Sequence, residues 1–145
     1  MKKFLSILVL CLTMATAALA SCSSKDEPIA YDALPEAARS FLAANYPGIG
    51  TSKVERDGGT YDVTLANGHE VEFDASGLWT DIDAPAGASV PTAAVPAPIL
   101  AYVIETYPTA AINEISRERT GFDVELTTGT DLVFDSAGNF VRVDP

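Results

Sequence analysis

Two periodicities alternate along the chain. Leu34, Ala38, Phe41, Leu42 and Tyr46 recur at helical spacing, and so do Val95, Ile99, Tyr102, Val103 and Tyr107. Pro35 and Pro96 suit a first helical turn, where a missing N–H costs little. Tyr46-Pro47 and Tyr107-Pro108 close the helices, because the residue before proline is pushed out of the helical region. After each helix the period becomes two. Tyr61, Val63 and Leu65 alternate with Asp62, Thr64 and Ala66; Phe122, Val124 and Leu126 alternate with Asp123, Glu125 and Thr127. Val71 and Phe73 alternate with Glu70 and Glu72. These are strands with one wet face. Asp57-Gly58-Gly59, Asn67-Gly68 and Asp74-Ala75-Ser76-Gly77 punctuate them as turns.

The pattern is written twice. From Leu34 to Asp83 the chain aligns without gaps to Val95 through Asp144, each position matching one 61 residues later. Pro35/Pro96, Tyr46/Tyr107, Arg56/Arg117, Asp62/Asp123, Phe73/Phe134, Gly77/Gly138 and Asp83/Asp144 are identical pairs. A gapless match of this length is an internal duplication. One unit of about 50 residues buries too little apolar surface to stand alone without staples. The expected fold is therefore α+β: two tandem helix-plus-four-strand antiparallel repeats sharing one two-layer helix/sheet core. Repeat 1 spans residues 31–84 and repeat 2 spans 95–145, joined by an Ala/Pro-rich linker at 85–94.

The N-terminus reads differently. Lys2 and Lys3 precede an uncharged, mostly apolar run from Phe4 to Ala20, too short for a comfortable membrane span and followed by small residues. Residues 1–21 are read as a secretory leader. Leu19-Ala20-Ser21-Cys22 resembles a bacterial lipobox, which implies lipidation at Cys22. At about 0.8 kcal/mol per buried methylene, two or three acyl chains hold a protein durably. Residues 22–30 are then the lipidated Cys and a flexible tether. Lys25-Asp26-Glu27 resembles the export signal of surface-exposed lipoproteins in some Gram-negative gut bacteria. The expected address is the outer membrane of such a cell, and the membrane is one partner.

Charge and cysteine content exclude several functions. Loss of the leader with Lys2 and Lys3, and no acid, takes the net charge from −11 to −13. So acidic a chain repels phosphate backbones, so nucleic acid is not an expected partner. Cys11 leaves with the leader and Cys22 carries lipid, so the expected domain has no disulfide, thiol nucleophile or Cys-based metal site.

The strand core Tyr61-Asp-Val-Thr-Leu, Gly68 and Val71-Glu-Phe-Asp74-Ala-Ser-Gly77 resembles a PepSY-like repeat. Phe122-Asp-Val-Glu-Leu, Gly129 and Phe134-Asp135-Ser-Ala-Gly138 resemble its twin. The resemblance covers residues 31–145. It implies a fold like that of the beta-lactamase inhibitor protein, with helices on one side of an antiparallel sheet and the other side open. It also implies inhibition or binding of secreted enzymes, without catalytic residues.

Candidate contact residues follow from strand parity. If Thr80, Ile82, Val141 and Val143 face the helices, Trp79 and Phe140 fall on the open face as aromatic anchors for an envelope or secreted protein. Arg56 and Arg117 either grip a partner carboxylate or neutralise Asp62 and Asp123, the second being favoured. His69, the one histidine, follows a turn and is read as a solvated loop residue. Asp74, Asp81 and Asp83 do not fit an EF-hand spacing, and no metal or cofactor is expected. No Ser or Cys nucleophile has an identifiable His–acid set, so the reading is non-enzymatic. An envelope small-ligand or cation sensor built on the acidic face is the alternative.

Overall fold

The computed structural model describes residues 26–145. The leader and Cys22 lie outside the described residues. Strand β1 (Glu27–Pro28) leads through a 3-10 turn, Tyr31–Ala33, into helix α1 (Glu36–Asn45). Strands β2 (Thr51–Asp57), β3 (Thr60–Leu65), β4 (Glu70–Phe73) and β5 (Trp79–Asp83) follow. A second 3-10 turn, Thr92–Ala94, precedes helix α2 (Ala97–Thr106). Then come β6 (Ile112–Glu118), β7 (Gly121–Leu126), β8 (Asp131–Asp135) and β9 (Phe140–Asp144).

All nine strands form one antiparallel sheet in chain order, each paired with the next. The sheet is larger than the eight strands expected. Glu27 and Pro28 pair with Arg56 and Glu55, and the Ile29 N–H reaches the Val54 carbonyl at 3.0 Å. These residues were expected in the flexible tether. A two-residue strand carries no periodicity of its own, so its pairing is set by the edge it meets.

The duplicated stretch Phe-Asp-x-x-Gly is a turn built around its aspartate. Asp74 Oδ1 accepts N–H bonds from Ser76 (2.9 Å) and Leu78 (3.1 Å). Asp135 Oδ1 accepts the equivalent bonds from Ala137 (2.9 Å) and Asn139 (2.8 Å). These bonds favour the charged form and hold both carboxyls below their ordinary pKa, the Ser76 hydroxyl being the largest cause for Asp74 and the Asn139 side chain for Asp135.

The junction between the copies is a strand pair. Asp81, Ile82 and Asp83 of β5 lie opposite Ser116, Ile115 and Glu114 of β6. One core row therefore runs from Val54 through Val63, Val71, Ile82, Ile115 and Val124 to Leu132, and all seven are buried. Ala38 and Leu42 of α1 and Ile99 and Val103 of α2 belong to the same cluster, so both helices cover one side of the sheet.

Trp79 and Phe140 belong to that helix side, against expectation. Register shifts between Glu72 and Phe73 and between Val133 and Phe134 set Phe73 opposite Trp79 while Glu72 opposes Asp81, and Phe134 opposite Phe140 while Val133 opposes Arg142. One extra residue on β5 and on β9 inverts the parity of everything before it. Trp79 is 6% exposed in the core. Phe140 stacks on Tyr102 of α2 at 4.5 Å and is 37% exposed.

Candidate functional site

The sheet face away from the helices is a field of carboxylates. Pairing aligns its side chains in two rows across the strands. In the first, Glu55, Asp62, Glu72 and Asp81 stand opposite one another in succession, followed by Ser116 and Asp123. In the second, Glu70, Asp83, Glu114, Glu125, Asp131 and Asp144 do the same across β4 to β9. Like charges directly opposite each other in a sheet are destabilising, by a few tenths to about 1 kcal/mol per pair. A surface laid out for stability alone would alternate signs.

The cations on this face stand near its two ends. Lys53 pairs with Glu55 at 2.7 Å, and Arg142 pairs with Asp144 at 3.1 Å. Among the described residues no ion pair reaches the carboxylates between them. The Ser116 hydroxyl donates to Asp81 Oδ1. A shallow depression of about 250 Å³ runs over the first row, between Lys53, Glu55, Asp62, Glu70, Glu72 and Asp81.

Crowding and partial burial raise the carboxyl pKa values. Desolvation is the largest cause for Asp62, Glu72, Asp81 and Asp83, with neighbouring carboxylates adding to the first three. Glu114, at the junction of the copies, is pushed up to about 7, first by burial and then by Asp81, Asp83, Glu125 and Asp131. Between its ordinary value of 4.5 and about 7, the folded chain binds more protons than the unfolded one. Stability therefore falls as pH rises through that window. Glu114 is only partly buried, so solvent screening trims its share to about 1 kcal/mol. Denaturant midpoints are expected to be higher at pH 5 than at pH 8, and Glu114→Gln should flatten that difference. A midpoint that rises with pH over this range would contradict the crowding.

Arg56 and Arg117 do not neutralise Asp62 and Asp123. Both arginines lie opposite helix-side residues, Tyr61 and Phe122, one position off the carboxylate row. Arg56 pairs with Glu27 at 3.3 Å, a partner brought by the unexpected β1. Arg117 lies over the rings of Trp79 (4.5 Å) and Phe122 (5.0 Å), and its Nε–H donates to the Trp79 carbonyl at 3.3 Å. It buttresses the core side of the β5–β6 junction. Neither arginine stands with Trp79 and Phe140 on a common open surface.

His69 is also not a solvated loop residue. It is 7% exposed, with Nε2 3.0 Å from the Ser89 carbonyl and its ring edge-on to Tyr46 at 5.2 Å. The imidazole fastens the 85–94 connector to the turn after β3. Asp74 is committed to its turn and Asp81 to Ser116. Among the described residues no group of three or more His, Cys, Asp or Glu side chains could hold a metal ion. No described helix is long and apolar enough to cross a membrane.

Several solved structures share this architecture. One from Bacteroides thetaiotaomicron, described as a "putative calcium-regulated periplasmic protein", is 31% identical with a TM-score of 0.78, covering 83% of this chain and 97% of its own. Another, from Bacteroides vulgatus and described as a "putative periplasmic protein", is 31% identical with a TM-score of 0.79, covering 85% and 99%. A second Bacteroides vulgatus structure, described as a "putative periplasmic protein of unknown function", is 29% identical with a TM-score of 0.73, covering 79% and 94%. No curated protein matches the chain. The family model described as "Putative beta-lactamase-inhibitor-like, PepSY-like" matches residues 20–61 and 59–142. The matched segments take in nearly all of both helix-and-strand copies, and the chain belongs to this PepSY-like family.

Proposed function

We propose that the chain is a non-enzymatic cell-envelope binding module, anchored by lipid at Cys22, that engages a cationic surface of a partner protein through its open sheet face. One observation carries the reading: two rows of carboxylates face one another across neighbouring strands, and among the described residues no ion pair reaches their middle. That arrangement costs folding stability and is repaid on meeting positive charge. The periplasmic description of the relatives supports an envelope address. The inhibitor-like family description makes a secreted enzyme one class of partner to try.

A second reading, a calcium-responsive sensor, rests on the "calcium-regulated" description of the Bacteroides thetaiotaomicron relative. A single envelope pull-down separates the two. The wild-type chain is expected to retain a partner at low salt and release it at high salt, where charges beyond a Debye length are screened. Asp62→Asn/Glu72→Gln/Asp81→Asn should retain none. Retention that requires calcium and disappears with chelator favours the sensor. Retention unaffected by either salt or the triple substitution would overturn the acidic-face reading.

A further inference from the structure

The core row of the sheet is unfinished at one end. Its members from Val54 on β2 to Leu132 on β8 are all buried, and the row continues to Val143 on β9, opposite Leu132. Val143 is 47% exposed, because β9 is the edge strand of the sheet among the described residues. Val141 and Phe140 on the same strand are also exposed. The other edge is blunted: β1 is two residues long and includes Pro28, which has no N–H to offer. Strand β9 has five residues with neither Pro nor Gly, and among the described residues no strand pairs with its outer side.

We propose that this edge pairs, antiparallel, with β9 of a second copy about a two-fold axis at Val143. Charge selects the occupant and the register. With Val143 opposite its own mate on the helix side, Arg142 of each copy stands opposite Asp144 of the other on the open side. The intrachain Arg142–Asp144 pair at 3.1 Å thus becomes part of a four-group alternating array. Centring the axis on Arg142 instead would set two guanidiniums against each other and Phe140 against Asp144. The favoured pairing closes as a dimer, completes the core row across the seam, and keeps both acidic faces on the same side. Repulsion between those faces opposes association, so the dimer belongs at physiological ionic strength, where the Debye length is about 8 Å. The β9 edge is a different surface from the partner-binding face.

Sedimentation equilibrium of the purified chain, from micromolar to millimolar, tests it. The expected result is a concentration-dependent dimer. Arg142→Asp or Asp144→Arg alone should weaken it about tenfold or more, by turning two attractive cross-strand pairs repulsive. The double reversal Arg142→Asp/Asp144→Arg should restore it. Circular dichroism melts of all three variants confirm folding, since both side chains are substantially exposed. A monomer throughout the range, including one that captures only extended segments of other proteins, overturns the proposal. So does a dimer indifferent to the single reversals, or one the double reversal fails to recover.

Discussion

Replacing Phe73 with alanine is expected to cost about 3–5 kcal/mol, the range for deleting a fully buried aromatic ring. Phe73 on β4 is completely buried, edge-on to Phe41 of α1 at 5.7 Å, and opposite both Tyr61 and Trp79 in the sheet. Its removal opens a cavity between helix and sheet that neither rigid element can close. Small domains have only about 5–15 kcal/mol of total stability, so the loss is a large part of the whole. Phe134 in the second copy is the same wedge, buried and edge-on to Tyr102 at 5.5 Å. The β5–β6 pair makes one sheet and one core of the two copies, so Phe73→Ala and Phe134→Ala should each lower one common thermal transition. Two transitions, with one unmoved by each variant, would show that the copies fold separately.

Gly77→Ala is the second severe substitution. The turn after Asp74 drives its tip into the start of α1, and Gly77 adopts φ +86° there. A Cβ would sit 2.8 Å from the Ala38 nitrogen and 2.9 Å from Pro35 Cβ. The left-handed conformation costs an L-residue about 1–2 kcal/mol, and the helix must also back away, adding about 1–3 kcal/mol of overpacking. Gly129 gives the control. It has nearly the same φ, +82°, but an added Cβ would meet nothing within 4 Å. Gly129→Ala should therefore show the conformational cost alone. Urea denaturation of both variants measures the difference; equal losses would mean that the turn does not bear on the helix.

The elements were legible because each is governed by local rules. Helical spacing ends at Tyr-Pro in both copies, and the strand alternation is bounded by Asp/Gly turns, two of whose aspartates accept backbone N–H bonds. What the alternation does not encode is a bulge. One extra residue on β5 and on β9 sent Trp79 and Phe140 to the helix side while leaving Ile82 where parity put it. Two bulky aromatics at matched positions beside a turn were a signal for core wedges as much as for anchors.

His69 followed a turn, but its burial depends on a connector 20 residues on, whose Ser89 carbonyl meets the imidazole. Arg56 answers Glu27 because β1 exists. The carboxylates were all visible as polar strand positions. Their alignment into rows was not, since that depends on register between strands and above all on the β5–β6 junction between the copies. Net charge announced an acidic protein, and the pairing concentrated that acidity on one face.

Carboxyl labelling with a carbodiimide, read residue by residue by mass spectrometry with and without the captured partner, shows which face the partner covers. Glu72, Asp83, Glu114 and Glu125 on the open face are expected to become protected in the complex. Asp32, Glu36 and Glu105, exposed on the helix side, should stay as reactive as before. Protection of the helix-side acids, with the two rows still labelled, would contradict it.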